Sequence, residues 1–149
     1  MEEVNIYIGS SIHGPRKKAG GYIYILECIR EGQAVTLEKH EWVGQATENR
    51  LCLMALSEAL KRLNCPCQLK VYTGCEHIMN AMGNGWARQW QKNGWKNAKG
   101  HPVKNADLWE QTLSQLDRHL YTFDCGYHVY KNWMEGQLER EQAKRCRIE

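Results

Sequence analysis

The segment from His77 to Ala106 is basic and contains no aspartate or glutamate. Its cationic residues are Arg88, Lys92, Lys96, Lys99 and Lys104, and they alternate with the tryptophans Trp86, Trp90 and Trp95. Such a segment could bind a phosphate backbone and stack on sugars or bases. Tryptophans four residues apart on one helical face more often pack into a core, so we expect Trp86 to be mainly structural.

Cysteines are the second group of residues that could carry chemistry. The chain has seven, at positions 28, 52, 65, 67, 75, 125 and 146. An odd number in a chain of 149 residues disfavours a disulfide framework. The pair Cys65-Pro66-Cys67 is a weak zinc signal by itself. We therefore expect most thiols to be small buried apolar groups, with no metal and no cofactor.

Alternating and helical patterns predict the elements that position these residues. Three strands joined by short turns, typical of an antiparallel meander, are predicted over 4–8, 22–29 and 34–43. Later strands are predicted over 68–74 and 120–125, and helices from Thr47 to Leu63 and over 75–82, 86–92, 105–116 and 131–147. A helix and a strand after a meander indicate a mixed sheet, of class α/β or α+β.

The stretch GWARQWQKNGWKNAKGHPVKNADLW, from Gly85 to Trp109, contains W-x-x-x-W-x-K-x-G-W-K and V-K-N-x-D-L-W. In both motifs and in their separation it resembles the basic protrusion of the type 1 ribonuclease H family. Weaker matches at IYIGSS, TENRLCL, VYTGCE and NWMEGQL extend the resemblance over nearly the whole chain. The resemblance implies one ribonuclease H-like domain over residues 1–149, with a five-stranded mixed sheet flanked by helices. Three antiparallel strands would be followed by two parallel additions.

Hydrolysis in that family depends on four carboxylates that hold two divalent ions, since hard ions need oxygen ligands. Where the family motifs carry these acids, this sequence has Gly9, Cys52, Gly74 and Gly136. The resemblance therefore predicts a pseudoenzyme with a degenerate active site, no catalytic residue and no metal. Three of the replacements are glycines, which are expected to vacate volume that a partner group could enter.

Two replacement metal sites are weaker alternatives. Cys52 and Cys75 could bind zinc together with His128, which resembles the family's loop histidine. Magnesium could instead use Glu48, Glu76 or Glu135, which lie beside or near the four positions. We expect these three side chains to point elsewhere because of their backbone positions.

The resemblance also implies binding positions. Thr47 and Asn105 resemble residues that hold a DNA phosphate, although both could simply cap helices. Asn49 resembles the residue that probes the minor groove of the hybrid. Glu48 departs from the usual asparagine, and a carboxylate facing phosphates would weaken binding. The predicted nucleic-acid-binding set is Thr47, Asn49, Arg88, Trp90, Lys92, Trp95, Lys96, Lys104 and Asn105.

The bulk composition narrows the class of protein but not its ligand. A net charge of +3 does not by itself indicate nucleic acid. No secretory leader is visible and no apolar run approaches ~18 residues, so a reducing cytoplasm is predicted. The leading hypothesis is metal-independent binding of an RNA/DNA hybrid or another A-form-like duplex. The alternatives are a protein-interaction or inhibitor module that uses the emptied cleft, and residual or altered metal-dependent ribonuclease H activity.

Overall fold

The computed structural model describes residues 1–148, with side chains described through Cys146. The strands are β1 (Glu2–Ser10), β2 (Lys18–Arg30), β3 (Gln33–Ala46), β4 (Cys67–Thr73) and β5 (Leu120–Asp124). The helices are α1 (Glu48–Lys61), α2 (Glu76–Gly83), α3 (Trp86–Lys92), α4 (Ala106–Leu116) and α5 (Lys131–Ile148). The predicted element order is confirmed. The largest difference is at the start of β2, which begins at Lys18 instead of residue 22, and β1 and β3 also extend beyond their predicted bounds.

The five strands form one mixed sheet in the order β3-β2-β1-β4-β5. The pairs β1–β2 and β2–β3 are antiparallel, whereas β1–β4 and β4–β5 are parallel. The prediction of three antiparallel strands followed by two parallel additions is therefore confirmed. Among the described residues, no helix combines the length and apolarity needed to cross a bilayer.

Alternation along the central strand β1 builds an apolar cluster on each face of the sheet. Val4, Ile6 and Ile8 point into the larger cluster, which α1, α2 and α4 cover. Tyr7 points into a smaller cluster closed by Met134 and Leu138 of α5. Burial on both faces explains why Ile6, Tyr7 and Ile8 follow one another in β1 without a polar residue.

The parallel pairing of β1 and β4 fixes where a site can form. Their register ends at Ile8 opposite Thr73, so both strands finish at the same edge of the sheet. Helices α1 and α2 begin beside this edge, and the segment between β5 and α5 borders it as well. Residues from distant parts of the sequence therefore meet there.

Candidate functional site

A cleft of about 250 Å³ opens where β1 and β4 end. Gly9, Cys52 and Gly74, three of the four positions singled out in the sequence, line it. Gly136 is not among the lining residues, whereas its neighbour Glu135 is. The structure thus brings three of the four positions together, and on α5 the residue at the cleft wall is Glu135.

Gly9 does not leave open space. A Cβ atom there would lie 3.1 Å from Ile23 Cγ2 and 3.2 Å from Met134 Cε, so α5 already fills the volume. A Cβ at Gly74 would meet no atom within 4 Å, and one at Gly136 would meet only Arg140 Nη1, at 3.8 Å. The prediction that the three glycines vacate volume is therefore wrong for Gly9, because close packing against α5 occupies the position.

Two glutamates line the cleft. Glu48 lines it, accepts a hydrogen bond from the Gly14 backbone N–H at 3.0 Å and lies 3.8 Å from His13 Nδ1. Glu135 lines the opposite wall, from α5, but Glu76 does not line the cleft. The Glu48 carboxylate is directed to Gly14 and His13, and the direction of the Glu135 side chain stays a prediction. Glu48 bends back to the chain at Gly14, a contact that no local pattern indicates.

The residues present do not fit the pair of divalent ions that the family uses. Two ions need several carboxylates converging from different elements. Glu48 and Glu135 are the only carboxylate residues among the lining residues. Within residues 1–148, no group of three or more His, Cys, Asp or Glu side chains is placed to hold a metal ion. Cys52, Cys75 and His128, the residues of the zinc alternative, do not form such a group either.

The thiols are distributed differently from the prediction. Cys52, Cys67 and Cys75 are buried and Cys28 is half-buried, whereas Cys65, Cys125 and Cys146 are exposed. The expectation that most thiols are buried is therefore wrong. Two of the buried thiols, those of Cys52 and Cys75, belong to the cleft.

His128 is packed against tyrosines at the cleft wall. Its ring centroid lies 4.6 Å from that of Tyr7 and 5.6 Å from that of Tyr72, and the two tyrosines stack at 4.8 Å. Its Nδ1 accepts a hydrogen bond from the Tyr130 backbone N–H at 3.2 Å. Burial lowers the pKa of His128, and the nearby Lys131 lowers it further. The imidazole is therefore neutral near pH 7.

Glu27 on β2 holds the segment that carries His128 and Tyr130. Tyr130 Oη donates to Glu27 Oε2 at 2.5 Å, and Asn5 Nδ2 and Tyr7 Oη each donate to Oε1 at 2.9 Å. Burial raises the pKa of Glu27, but the three donors outweigh it and the net direction is downward. Glu27 is not among the site residues predicted from the sequence. The sequence signal for Glu27 was its position after Ile23 and Ile25 at alternate residues of β2, which places all three on the same face of the strand.

Hydrogen bonds hold the backbone of the basic protrusion, the stretch from Gly85 to Trp109. Trp95 N–H donates to the Trp90 carbonyl at 2.7 Å, and Val103 N–H donates to the Trp95 carbonyl at 3.0 Å. Asn97 Oδ1 accepts from the backbone N–H groups of Lys99 and His101, both at 3.0 Å. The exposed lysines of this segment are Lys92, Lys96, Lys99 and Lys104. In the described part of the chain, none of these four is in an ion pair.

The tryptophans of the protrusion divide into packed and exposed residues. Trp90 is half-buried, stacks on His77 at 6.1 Å and meets the Trp109 ring edge-on at 6.1 Å. Trp95 also packs against the larger core. Trp86 is 42% exposed, and its structural role stays a prediction. It precedes the buried Ala87 at the first turn of α3, with its own ring facing solvent.

Arg50 links Thr47 and Asn105, the two residues that are predicted to hold a DNA phosphate. Thr47 caps α1, because its Oγ1 accepts from the Arg50 backbone N–H at 3.3 Å. Arg50 Nη1 donates to Asn105 Oδ1 at 3.2 Å, and the same guanidinium pairs with Asp107. Asn105 stands at the start of α4 with φ 61°, but its side chain makes no cap hydrogen bond. The capping role is confirmed for Thr47 alone, and the Asn105 amide is held toward α1.

Arg88 differs from the lysines because its charge is already partnered. Its Nη2 lies 2.8 Å from Asp117 Oδ1 and donates to Tyr121 Oη at 3.2 Å. Asp117 follows α4 in the chain, so the sequence around Arg88 could not show this pair. Its role in nucleic-acid binding stays a prediction, as does that of Asn49.

The mixed sheet order and the basic protrusion together define an RNase H-like architecture. The model of the RNase H family matches residues 1–141, and the chain belongs to this family. It is 31% identical over 147 residues to the Ribonuclease H of Lachnoclostridium phytofermentans, a match that covers 98% of this chain and 88% of that protein.

Solved structures agree with the fold. LC9-RNase H1, a type 1 RNase H with the type 2 active-site motif, matches with a TM-score of 0.74 at 20% identity, covering 93% of this chain and 69% of that one. The foamy viral protease-reverse transcriptase, solved in complex with an RNA/DNA hybrid, matches with a TM-score of 0.66 at 14% identity. That match covers 92% of this chain and 19% of the viral chain. At these identities the likeness concerns the fold alone.

Proposed function

We propose that this protein binds nucleic acid, as an RNA/DNA hybrid or another A-form-like duplex, through the basic protrusion and without cleaving it. One observation carries the proposal. Among the residues that the structure describes, four exposed lysines have no ion-pair partner and stand on a backbone held by hydrogen bonds, next to a sheet whose cleft does not fit two metal ions. The protein would then still bind nucleic acid although it does not hydrolyse it.

The positions of the predicted phosphate-binding residues support this proposal. Thr47 and Asn105 are linked through Arg50, so two polar groups from distant elements lie at one surface. Glu48, whose charge would oppose a phosphate, is instead drawn to the Gly14 amide and His13. The foamy viral protein of similar fold was solved with an RNA/DNA hybrid. The exposed Trp86 adds a stacking surface that is not part of the predicted nucleic-acid-binding set.

The test is fluorescence anisotropy with a labelled hybrid in the presence of a chelator, over a salt series. Neutralised phosphates release counterions, so the affinity should fall linearly on a log–log plot with salt concentration. Replacing Lys92, Lys96 and Lys104 together by alanine should remove about two to three units from that slope. Lys61→Ala is the matched control, because this exposed lysine ends α1 at the opposite end of the sheet.

The outcomes separate the hypotheses. Absence of binding at low salt, or equal slopes for the triple variant and Lys61→Ala, would reject the proposed surface. Strand cleavage in magnesium or manganese that a chelator abolishes would favour altered hydrolysis instead. The protein-interaction alternative stays a prediction, since no comparison supports it.

A further inference from the structure

A second basic segment lies in the chain between β1 and β2. Arg16, Lys17 and Lys18 follow one another, and there is no aspartate or glutamate from Val4 to Leu26. All three basic residues, called the basic loop below, are exposed. In the described part of the chain, none of the three side chains takes part in an ion pair. Three uncompensated positive charges therefore face solvent here.

Contacts before the basic loop hold it at the rim of the cleft. Ile12 is 1% exposed, so it ties this part of the chain to the core. Ser11 Oγ accepts a hydrogen bond from the Gly21 N–H at 2.9 Å. The Gly14 N–H donates to Glu48 Oε1 at 3.0 Å, and Glu48 lines the cleft. The charged residues thus follow a backbone whose position is set by the core and by α1.

Strand pairing places the basic loop next to a predicted phosphate-binding residue. Lys18 is the partner of Ala46 where β2 pairs with β3, and Thr47 follows Ala46 as the cap of α1. Paired residues of antiparallel strands have Cα atoms about 5 Å apart. Lys18 therefore lies beside the start of α1, where Thr47 is predicted to hold a phosphate.

The first turn of α1 separates the basic loop from the protrusion. Glu48 reaches Gly14, which precedes the basic loop, whereas Arg50 Nη1 reaches Asn105 Oδ1 of the protrusion at 3.2 Å. Residues two apart in an α-helix point about 200° apart around its axis. The two contacts therefore lie on different sides of the helix start, and a positively charged segment stands on each side.

We propose that the basic loop binds the phosphate backbone of one strand of a duplex while the protrusion binds that of the other strand. This inference rests on the proposed function and narrows its ligand to double-stranded nucleic acid. An A-form duplex has a backbone on each side of a wide, shallow minor groove, which suits two charged segments separated by one helix start. A single strand has one backbone, so it needs only one of the two segments.

The experiment compares two variants that each lose one arginine and one lysine. Arg16→Ala/Lys18→Ala removes two charges of the basic loop. Lys61→Ala/Arg118→Ala is the matched control, because both residues are exposed, Lys61 ends α1 and Arg118 precedes β5, at the edge of the sheet opposite the cleft. Fluorescence anisotropy in a chelator measures the affinity of each variant for a labelled hybrid and for a labelled single strand of equal length, over a salt series.

The loop variant should lose salt dependence on the hybrid alone. Two lost phosphate contacts reduce the log–log slope by about 2, so its affinity deficit should shrink about tenfold between about 50 and 200 mM salt. On the single strand it should match the control, whereas the triple alanine variant of the protrusion should lose slope on both ligands. Arg16→Lys should keep the slope of the unsubstituted protein, because counterion release depends on charge.

The outcomes separate this inference from the proposed function. A loop variant that matches the control on the hybrid, while the protrusion variant loses slope, would overturn this inference and leave the proposed function standing. An equal loss of slope on the hybrid and the single strand would place both segments on one strand and overturn it too. No hybrid binding by the unsubstituted protein at low salt would reject the proposed function itself. Arg16→Ala alone, with an expected loss of about 1 in slope, keeps the test decisive if the double variant fails to fold.

Discussion

Replacing Gly9 by aspartate tests whether α5 has filled the position at the end of β1. The new Cβ would lie 3.1 Å from Ile23 Cγ2 and 3.2 Å from Met134 Cε, closer than ordinary van der Waals contact. Overpacking of this kind typically costs about 1–3 kcal/mol. For a chain of this length, that corresponds to a decrease in Tm of about 2–12 °C. The carboxylate would also face the apolar side chains of Met134 and Leu138, which adds to the cost.

Gly74→Asp is the matched control, because it places the same side chain at the same sheet edge. No atom lies within 4 Å of a Cβ at Gly74, so we expect a change within about 0.5 kcal/mol. Urea unfolding followed by circular dichroism measures both variants. A second test combines Gly9→Asp with Met134→Ala, where relief of the contact should appear as a favourable coupling of about 0.5–3 kcal/mol. Equal stabilities of Gly9→Asp and Gly74→Asp, with no coupling to Met134, would refute the packing argument.

Three further predictions concern the groups that hold the site. Glu27→Gln should lower the free energy of unfolding by about 1–3 kcal/mol at pH 7, since a buried acceptor of three hydrogen bonds loses its charge. The pKa of Glu27 is lowered in the folded state, so its contribution is present above pH ~4.5 and lost below it; urea titrations that show no such difference between the variants would contradict this. Burial lowers the pKa of His119, whose Nδ1 accepts from the Cys67 N–H at 2.9 Å. The unfolded chain therefore takes up the proton first, and stability should fall as pH drops below about 6.5, less steeply in His119→Gln; parallel pH profiles would count against it. Trp90→Ala should cost about 3–5 kcal/mol by thermal unfolding, whereas the exposed Trp86→Ala should cost less than about 1 kcal/mol while weakening hybrid binding. The reverse order of stabilities would show that the tryptophan assignment is wrong.

The order of the elements was predictable because each one carries its own local pattern. The alternating run from Tyr22 to Ile29 predicts a strand, and the helical spacing from Leu51 to Leu60 predicts a helix, without any tertiary information. The strand ends were harder to predict, because β1, β2 and β3 gain their end residues by pairing with neighbouring strands rather than from apolar side chains.

The contacts that decide the site come from residues far apart in the chain. Met134 fills the space at Gly9 only because α5 packs against β1, and Glu48 turns to Gly14 across a long sequence separation. Trp86 and Trp90 share a helical spacing, yet only the position of α4 determines which ring is buried against Trp109. Periodicity shows that a face exists, but not what will cover it.

The most direct test of the central claim is one reaction with two readouts. An end-labelled RNA/DNA hybrid is incubated with the protein in magnesium, in manganese and in a chelator, and is analysed on native and denaturing gels. We predict a retarded complex of equal yield in all three conditions, with both strands at full length. Shortened RNA in either metal, absent in the chelator and lost when Glu48 and Glu135 are both replaced by glutamine, would contradict this account.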